Sequence, residues 1–524
     1  MTDTEPIPLS LNAARFFNRA AFVLLFALLV IRLVTATHFG LAWDEAYYWQ
    51  WSRYLAFGYY DAGPGIALTI RAGTLLFGDT PLGVRFVPIL LSVAANALIF
   101  ALARRLFDAR VGFWTIALAA VSPLLAIGSV LATYDLPQIF FWAAGLYAVA
   151  RAVEDAKPTL LIPNLQSLIP TLWWYVTGLC VGLGTNTKPT MIFFAPGVLL
   201  LLWLVPAYRK HLASPHPYLA FALAILCLAP LFIWNAQHDN VNWIHTLNRG
   251  NRSTNAAPGR WLGEFWGGQA LVVGPGLLIA ELIALGYALR RTMDFASQKS
   301  VDPRYTFIAA FTVPILALCT LIALRSKVEI NWCVAAHLSG LLGIAAVFTR
   351  ERLRGWFVAS VAVSAILSLV LFFPNALVIR PFAPLVANGT WEKVNEQYGW
   401  EVIAGAVVRE KDALQAESGA TPVFVAGTGY RVCSILSFYL PGQPFVPKLQ
   451  IPDTRRDQYN VWTNEAALAG QNAVVALDMN RPEEEAYLRT RFASVSEPVV
   501  VDVPRPSFKG AVKSWRLYRC RGLK

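Results

Sequence analysis

Charge is scarce in this chain: 15% of its 524 residues are Asp, Glu, Lys or Arg, against about 25% in an ordinary soluble domain. That scarcity excludes a cytosolic enzyme of this length. A disordered chain is excluded as well, because 56% of the residues are hydrophobic and the mean hydropathy is +0.49. Six cysteines in such a length cannot staple a small disulfide scaffold. Cys180, Cys227, Cys319 and Cys333 fall in or beside apolar runs and read as inert core thiols. Cys433 and Cys520 lie outside such runs, where an extracytoplasmic location would let them pair. Also missing are an internal repeat of about 20–50 residues and a Gly-rich phosphate loop following a strand. GTGYR at 427–431 reads as a turn before a helix rather than a nucleotide site. His238 and His245 lie seven apart with Asp239 between them, a spacing that fits no standard zinc pattern, so no metal site is expected. The first apolar run lacks a small-residue exit site and continues into WDEAYYW, which argues against a cleavable signal peptide.

What the chain has instead is long apolar runs. A membrane-spanning helix takes about 20 mainly apolar residues. Eleven segments qualify, near 17–38, 83–103, 111–131, 136–151, 171–186, 190–207, 217–235, 267–289, 305–324, 332–349 and 355–373. The 44 Lys and Arg against 32 Asp and Glu leave a net charge of +12, but the surplus sits in short loops of the membrane part and is no nucleic-acid footprint. Arg15/Arg19, Arg104/Arg105/Arg110, Arg151/Lys157, Arg209/Lys210, Arg290/Arg291/Arg304 and Arg350/Arg352/Arg354 fall in alternate loops. Taken as cytoplasmic, these loops place the N-terminus inside and the C-terminus outside. From about residue 375 the apolar runs shorten to strand length (PVFVA 422–426, AVVAL 473–477, PVVVDV 498–503) and alternate with helical stretches. The expected architecture is a polytopic α-helical membrane protein: a membrane domain over 1–374, with a long outer loop at 39–82, and a C-terminal extracytoplasmic α/β domain over 375–524.

Acids gather at three places on the outer side of this topology. Asp44 and Glu45 follow the first span in AWDEAYYW, Asp61 stands in YYDAGPG, and Asp135 occupies the tight turn TYDLP between two spans. A carboxylate just outside the hydrocarbon can take a proton from a hydroxyl nucleophile. Ionisable residues held at membrane level are rare and commonly functional. Tyr47, Tyr48, Trp49 and Trp51 supply an interfacial aromatic belt beside the first pair. Several cations fall on the same side against the positive-inside bias: Arg53, Arg71, Arg85, Lys188, Arg249, Arg252, Arg260, Arg325 and Lys327. The competing explanation for any one of them is snorkelling to lipid head groups. Lys188 stands out, because TNTKPT is a very short loop with little other reason to carry a charge.

DEAYYW after the first span, YYDAGPG a dozen residues on and TYDLP before the fourth span resemble the GT-C glycosyltransferases. The nearer likeness is to the bacterial branch with protein O-mannosyltransferases, lipid A aminoarabinose transferases and rhizobial lipopolysaccharide galacturonosyltransferases. TKPTMIFFAPGVLL (187–200), WNAQHDNVNW (234–243), KVEINW (327–332), SILSFYLPGQPFV (434–446) and RRDQYNVW (455–462) extend it over nearly the whole chain. The resemblance implies a GT-C-like fold with about 11 transmembrane helices in the cell inner membrane. It implies inverting transfer of one sugar from a polyprenyl-phosphate donor to an acceptor hydroxyl on lipopolysaccharide, lipid A, another glycolipid or a protein, at the extracytoplasmic face. Asp44 matches the family's general base, with Asp135 as a second catalytic acid. Glu45, Tyr59, Tyr60, Asp61, Arg53, Arg71, Lys188, Arg249, Arg325, Lys327 and Glu329 are the substrate-binding candidates. No cofactor is implied, since the lipid-linked sugar is a co-substrate whose phosphate Lys and Arg can hold, and no nucleic acid is a partner. The family often sets a Lys or His and two prolines after the acid, whereas here Ala62, Gly63 and Pro64 follow Asp61. Arg53, Arg71 or Lys327 can take the place of the missing cation, and Lys188 is expected to bear more of the load, assisted by Arg325 or Lys327.

Two other classes compete. A secondary transporter shares the span count, but transporters carry internal repeats and midplane ionisable groups; here Arg32 and Glu281 alone suggest the latter. A membrane-anchored receptor would need far fewer spans.

Overall fold

The structure is a computed structural model that describes residues 9–154, 163–249, 259–293, 301–349, 355–373, 396–452, 454–478, 482–504 and 511–524. The chain divides into two compact units. The first comprises Met1–Val34, Ala62–Thr69 and Phe86–Phe372, and the second Thr35–Asp61, Ile70–Arg85 and Phe373–Lys524.

The first unit is helical. Among the described residues, six helices are long and apolar enough to cross a membrane: Leu11–His38, Pro81–Leu106, His216–Gln237, Pro303–Ala323, Ile330–Phe348 and Gly355–Phe372. Two bent pairs raise the number to eight, Pro189–Leu204 with Pro206–Ala213 (117°) and Arg260–Val273 with Pro275–Met293 (103°). The eleven spans expected are therefore not confirmed. Proline and glycine interrupt two of the expected runs. Pro123 breaks the expected 111–131 run into Ala109–Val121 and Pro123–Gly128. Gly274, at φ 103°, ends one helix just before Pro275 starts the next. A proline has no N–H for the preceding turn, and a positive φ suits glycine.

Its core is built from aromatic and small residues. Phe194 packs on Trp142 (centroids 4.9 Å apart) and on Phe311 (4.8 Å). One polar chain is buried inside: His337 Nδ1 lies 2.9 Å from Glu281 Oε2, and its Nε2 lies 2.9 Å from Gln269 Oε1. Gly340 makes room for it, since a Cβ there would come within 1.9 Å of Glu281 Oε1.

The second unit carries a five-stranded sheet, β1 (Val423–Gly427), β2 (Asn472–Asp478), β3 (Phe492–Val495), β4 (Val499–Pro504) and β5 (Ala511–Leu523). The strand order is β1-β2-β5-β3, with β4 also paired to β5; β1 and β2 run parallel, and β5 is antiparallel to each of its partners. The helix Trp400–Ser418 covers the sheet, and the helix Tyr430–Tyr439 packs against the helix Trp43–Arg53 of the same unit. Cys433 and Cys520 are buried free thiols and form no disulfide.

Candidate functional site

In the second unit the chemistry starts at the helix Trp43–Arg53. Its third residue, Glu45, reaches back to accept a hydrogen bond from the Ala42 N–H at 2.9 Å, which satisfies one donor at the helix start. Arg85 takes up both oxygens of Glu45, with Nε 2.7 Å from Oε1 and Nη2 2.5 Å from Oε2. The same guanidinium donates to the carbonyls of Ala36, Phe39 and Gly40. Glu45 is 0% and Arg85 1% exposed. This buried pair, saturated with hydrogen bonds, ties the helix start to the segment before it.

Asp44 is the neighbour that remains accessible. Its side chain is exposed, and Oδ1 accepts from the Tyr430 hydroxyl at 3.2 Å. Protein atoms crowd it even so. That loss of bulk water raises its carboxyl above the ordinary value, and the Arg431 charge, the Tyr430 hydrogen bond and the Arg455 charge oppose the rise. Arg431 lies over the rings of Trp43 (4.5 Å) and Tyr430 (5.8 Å), a cation held on aromatic faces. Glu396 accepts from the Trp43 N–H at 2.7 Å, and burial, aided by the Asp44 charge, pushes its carboxyl up to about 7.

Asp61 is 6% exposed. The Tyr47 hydroxyl donates to its Oδ2 at 2.7 Å, and Arg455 forms an ion pair with Oδ1. Tyr47 in turn accepts from the Gln458 N–H at 2.8 Å, and Tyr60 donates its N–H to Gln458 Oε1 at 2.7 Å. Tyr59 is fully buried, stacked on Trp51 at 4.3 Å, with its hydroxyl donating to the Trp51 carbonyl at 2.9 Å. Arg53 donates to the Gln443 carbonyl at 2.6 Å and lies over Trp49. Arg71, on the helix Gly65–Phe77, is exposed. A cavity of about 220 Å³ within this unit is walled by Trp43, Tyr430, Arg431, Lys448, Arg455 and Trp515. Aromatic faces alternating with charged hydrogen-bonding groups suit a sugar.

The first unit holds the third acid. Asp135 opens the helix Asp135–Ala152 and pairs with Lys188, Nζ to Oδ1 2.5 Å. Lys188, 4% exposed, also donates to the Asn331 carbonyl at 2.8 Å, and Asn331 Nδ2 donates to Asp135 Oδ2 at 2.8 Å. The short loop that carries Lys188 and the turn that carries Asp135 are thus joined through the start of the helical segment Ile330–Phe348. Arg325, Lys327 and Glu329 are exposed, the last two 3.6 Å apart. Arg249 ends the helix Val241–Arg249, and its side chain, like the whole of Arg252, lies outside the described residues. Arg260 pairs with Glu264 at 2.8 Å. The ring of His238 stacks on Trp234, 4.1 Å between centroids.

Sequence reasoning passed over Tyr430, Arg431, Arg455, Glu396 and Asn331. Two of them stand in GTGYR and one in RRDQYNVW, stretches noticed for other reasons; only chain folding brings them to Asp44 and Asp61.

Residues 61–234 match the family model for dolichyl-phosphate-mannose-protein mannosyltransferase. The chain is 30% identical over 380 residues to the lipid A galacturonosyltransferase RgtD of Rhizobium johnstonii, covering 72% of this chain and 73% of that protein. It is 29% identical over 224 residues to the undecaprenyl phosphate-alpha-4-amino-4-deoxy-L-arabinose arabinosyl transferase 2 of Pseudomonas fluorescens, over 38% of this chain and 39% of that one. Among solved structures, ArnT from Cupriavidus metallidurans in the apo state superposes with a TM-score of 0.62 at 14% identity, over 95% of this chain and 97% of that one.

Proposed function

The chain belongs to the GT-C superfamily of membrane glycosyltransferases, and from that premise we propose that it transfers one sugar from a polyprenyl-phosphate donor to a hydroxyl of a lipid A-type glycolipid, with Asp44 as general base. Membership removes the transporter reading. The observation that carries the base assignment is the accessible Asp44 carboxylate, raised by its surroundings and hydrogen-bonded by Tyr430. The acceptor hydroxyl loses its proton to Asp44 as its oxygen attacks the anomeric carbon from the face opposite the departing phosphate, so the anomeric configuration inverts. The leaving phosphate is already an anion and takes no proton; it is stabilised by fixed cations. Lys188, held by Asp135 and Asn331, serves as one of these, and Asp135 positions it. Asp61 fixes Arg455, while Tyr60, Arg53, Arg71, Arg249, Arg325, Lys327 and Glu329 lie on the side of the chain where the substrates enter. Glu45 and Tyr59, both buried, support the helix that carries Asp44. The N-terminus is cytoplasmic and residues 375–524 form a domain outside the inner membrane, the orientation in which the basic loops face the cytoplasm.

The test incubates purified protein with lipid A and a panel of polyprenyl-phosphate sugars, including galacturonate and aminoarabinose donors, and measures released polyprenyl phosphate. Release with one donor that depends on the acceptor supports the reading. No release with any donor overturns it.

A further inference from the structure

Arg32 has no place in the scheme so far. It lies on the apolar helix Leu11–His38, about 9 Å before its end at 1.5 Å rise per residue, and is only 3% exposed. Nη1 donates to Ser92 Oγ at 3.0 Å. Among the described residues this is its one hydrogen bond, out of the five N–H donors a guanidinium carries, and no carboxylate pairs with it. An ionised group withdrawn from water without a counter-charge is strongly unfavourable, and within membrane proteins such groups pair with one another or line a functional cavity.

Arg32 lines one. A partly open cavity of about 50 Å³ within the first unit is bordered by Arg32, Ser92, Asn96, Thr133, Asp135 and Asn331. That volume exceeds the roughly 10–15 Å³ needed for a single water. Asp135 does not serve as the missing counter-charge, because its oxygens are taken by Lys188 at 2.5 Å and Asn331 Nδ2 at 2.8 Å. With Lys188 and Asp135 cancelling, one positive charge remains beside the hydroxyls and amides of Ser92, Asn96, Thr133 and Asn331, on a wall completed by apolar side chains such as Leu124 and Ile139. A guanidinium fork among such groups matches a tetrahedral oxyanion, which offers several acceptors in fixed directions.

We propose that Arg32 binds the phosphate of the lipid-linked sugar donor in this cavity, supplying from the first membrane helix the cation that Ala62 does not. The proposal rests on the functional reading above. The chemistry it names is a phosphate ester on a lipid, which the donor and the bulk phospholipids both carry, and it commits to the donor.

The test measures binding of undecaprenyl phosphate to the purified full-length protein in detergent by native mass spectrometry, with phosphatidylglycerol as competitor, alongside the donor KM. Arg32→Gln should weaken undecaprenyl phosphate binding about 10–100-fold, the usual worth of a charge-assisted hydrogen bond to a buried group, and raise the KM for donor. Arg32→Lys should recover most of the loss. Unchanged binding in a folded Arg32→Gln overturns the proposal. So does phosphatidylglycerol that competes on equal terms, since the cavity is then a lipid head-group site. Should Arg32→Gln fail to fold, Gly128→Leu tests the same cavity with Arg32 in place. Gly128 borders it, and a Cβ there meets nothing within 4 Å. A raised donor KM in that variant supports the proposal and an unchanged one overturns it. Failure of the functional reading is distinguishable: the wild type would then turn over no donor at all. A wild type that turns over donor, with an Arg32→Gln variant of normal KM, sinks this inference alone.

Discussion

Replacing Tyr430 by Phe probes whether Asp44 is the base through its pKa rather than through loss of the group. Burial raises the Asp44 carboxyl, and the Arg431 charge and the Tyr430 hydrogen bond are the two largest opposing influences. Deleting the hydroxyl leaves burial less opposed, so the pKa must climb further. A hydrogen bond to an ionised group contributes about 1.5–3 kcal/mol. At 3.2 Å and with solvent access this one belongs below that range, at about 1 kcal/mol. At about 1.36 kcal/mol per pKa unit, the expected rise is about half a unit to one unit. The base works when ionised, so activity falls as pH drops through its pKa, and the acid limb of kcat/KM for the acceptor reports that pKa in the free enzyme. The limb should therefore move to higher pH in Tyr430→Phe while the high-pH plateau stays near the wild-type level. Arg431→Gln should move it the same way and further, because its charge opposes burial more than the hydrogen bond does. The comparison is best made in a Glu396→Gln background, since Glu396 itself titrates near 7. A limb that stays in place in both variants, or moves to lower pH, would refute Asp44 as the titrating base.

Asp44→Asn should lower turnover by about 10²–10⁴, as loss of a general base does, with the melting temperature unchanged because the carboxylate is exposed and the amide keeps its shape; more than a small residual activity speaks against the assignment. Lys188→Ala should slow turnover about 10²–10³-fold, by analogy with removal of one donor to a developing anion, and single-turnover kinetics with saturating donor would expose a merely structural role by leaving that rate intact. Arg85→Met strands the buried Glu45 carboxylate, and breaking such a pair costs about 3–5 kcal/mol, readable as a lowered denaturation midpoint in detergent. Glu396 has a folded value near 7 against 4.5 for the free group, so the folded state binds the extra proton. Its contribution to stability is present below about 4.5 and lost as pH rises through 7. Glu396→Gln should flatten that fall, and parallel pH–stability curves for variant and wild type would disprove it.

Much of the fold lay open in the sequence, because apolar runs and basic loops are statements about solvent. The strand-length runs at 422–426, 473–477 and 498–503 coincide with β1, β2 and β4. β5 escaped notice for a physical reason. Its residues Trp515, Leu517 and Cys520 are buried, but the interspersed Arg516, Arg519 and Arg521 pair with Glu485, Glu410 and Glu417. A strand that hides its charges in ion pairs with helices looks, in one dimension, like a polar tail. Hydropathy does not see a proline or glycine that splits a run into two short helices, so an apolar run of span length is not by itself one straight helix. The acids Asp44, Asp61 and Asp135 were singled out by their shared side of the expected topology. Tyr430, Arg431 and Arg455 were not, because they lie nearly 400 residues from their partners in sequence.

The charges themselves argue for where the reaction occurs. Within the two units Glu45 is paired with Arg85, Asp61 with Arg455, Asp135 with Lys188 and Asp457 with Lys448. A protein that uses few charged residues and neutralises those it withdraws from water is following the cost of desolvation. Against that background two groups bear on the proposed reaction. Among the described residues, Asp44 is an acid ringed by protein with a tyrosine hydrogen bond and no ion pair within 4 Å, and Arg32 is a buried cation with a serine and no acid. Sugar transfer from a lipid phosphate asks for these two things, a carboxylate free to accept a proton and a cation free to hold an anion. On the reading proposed above, an acceptor hydroxyl completes the one and a donor phosphate the other during turnover.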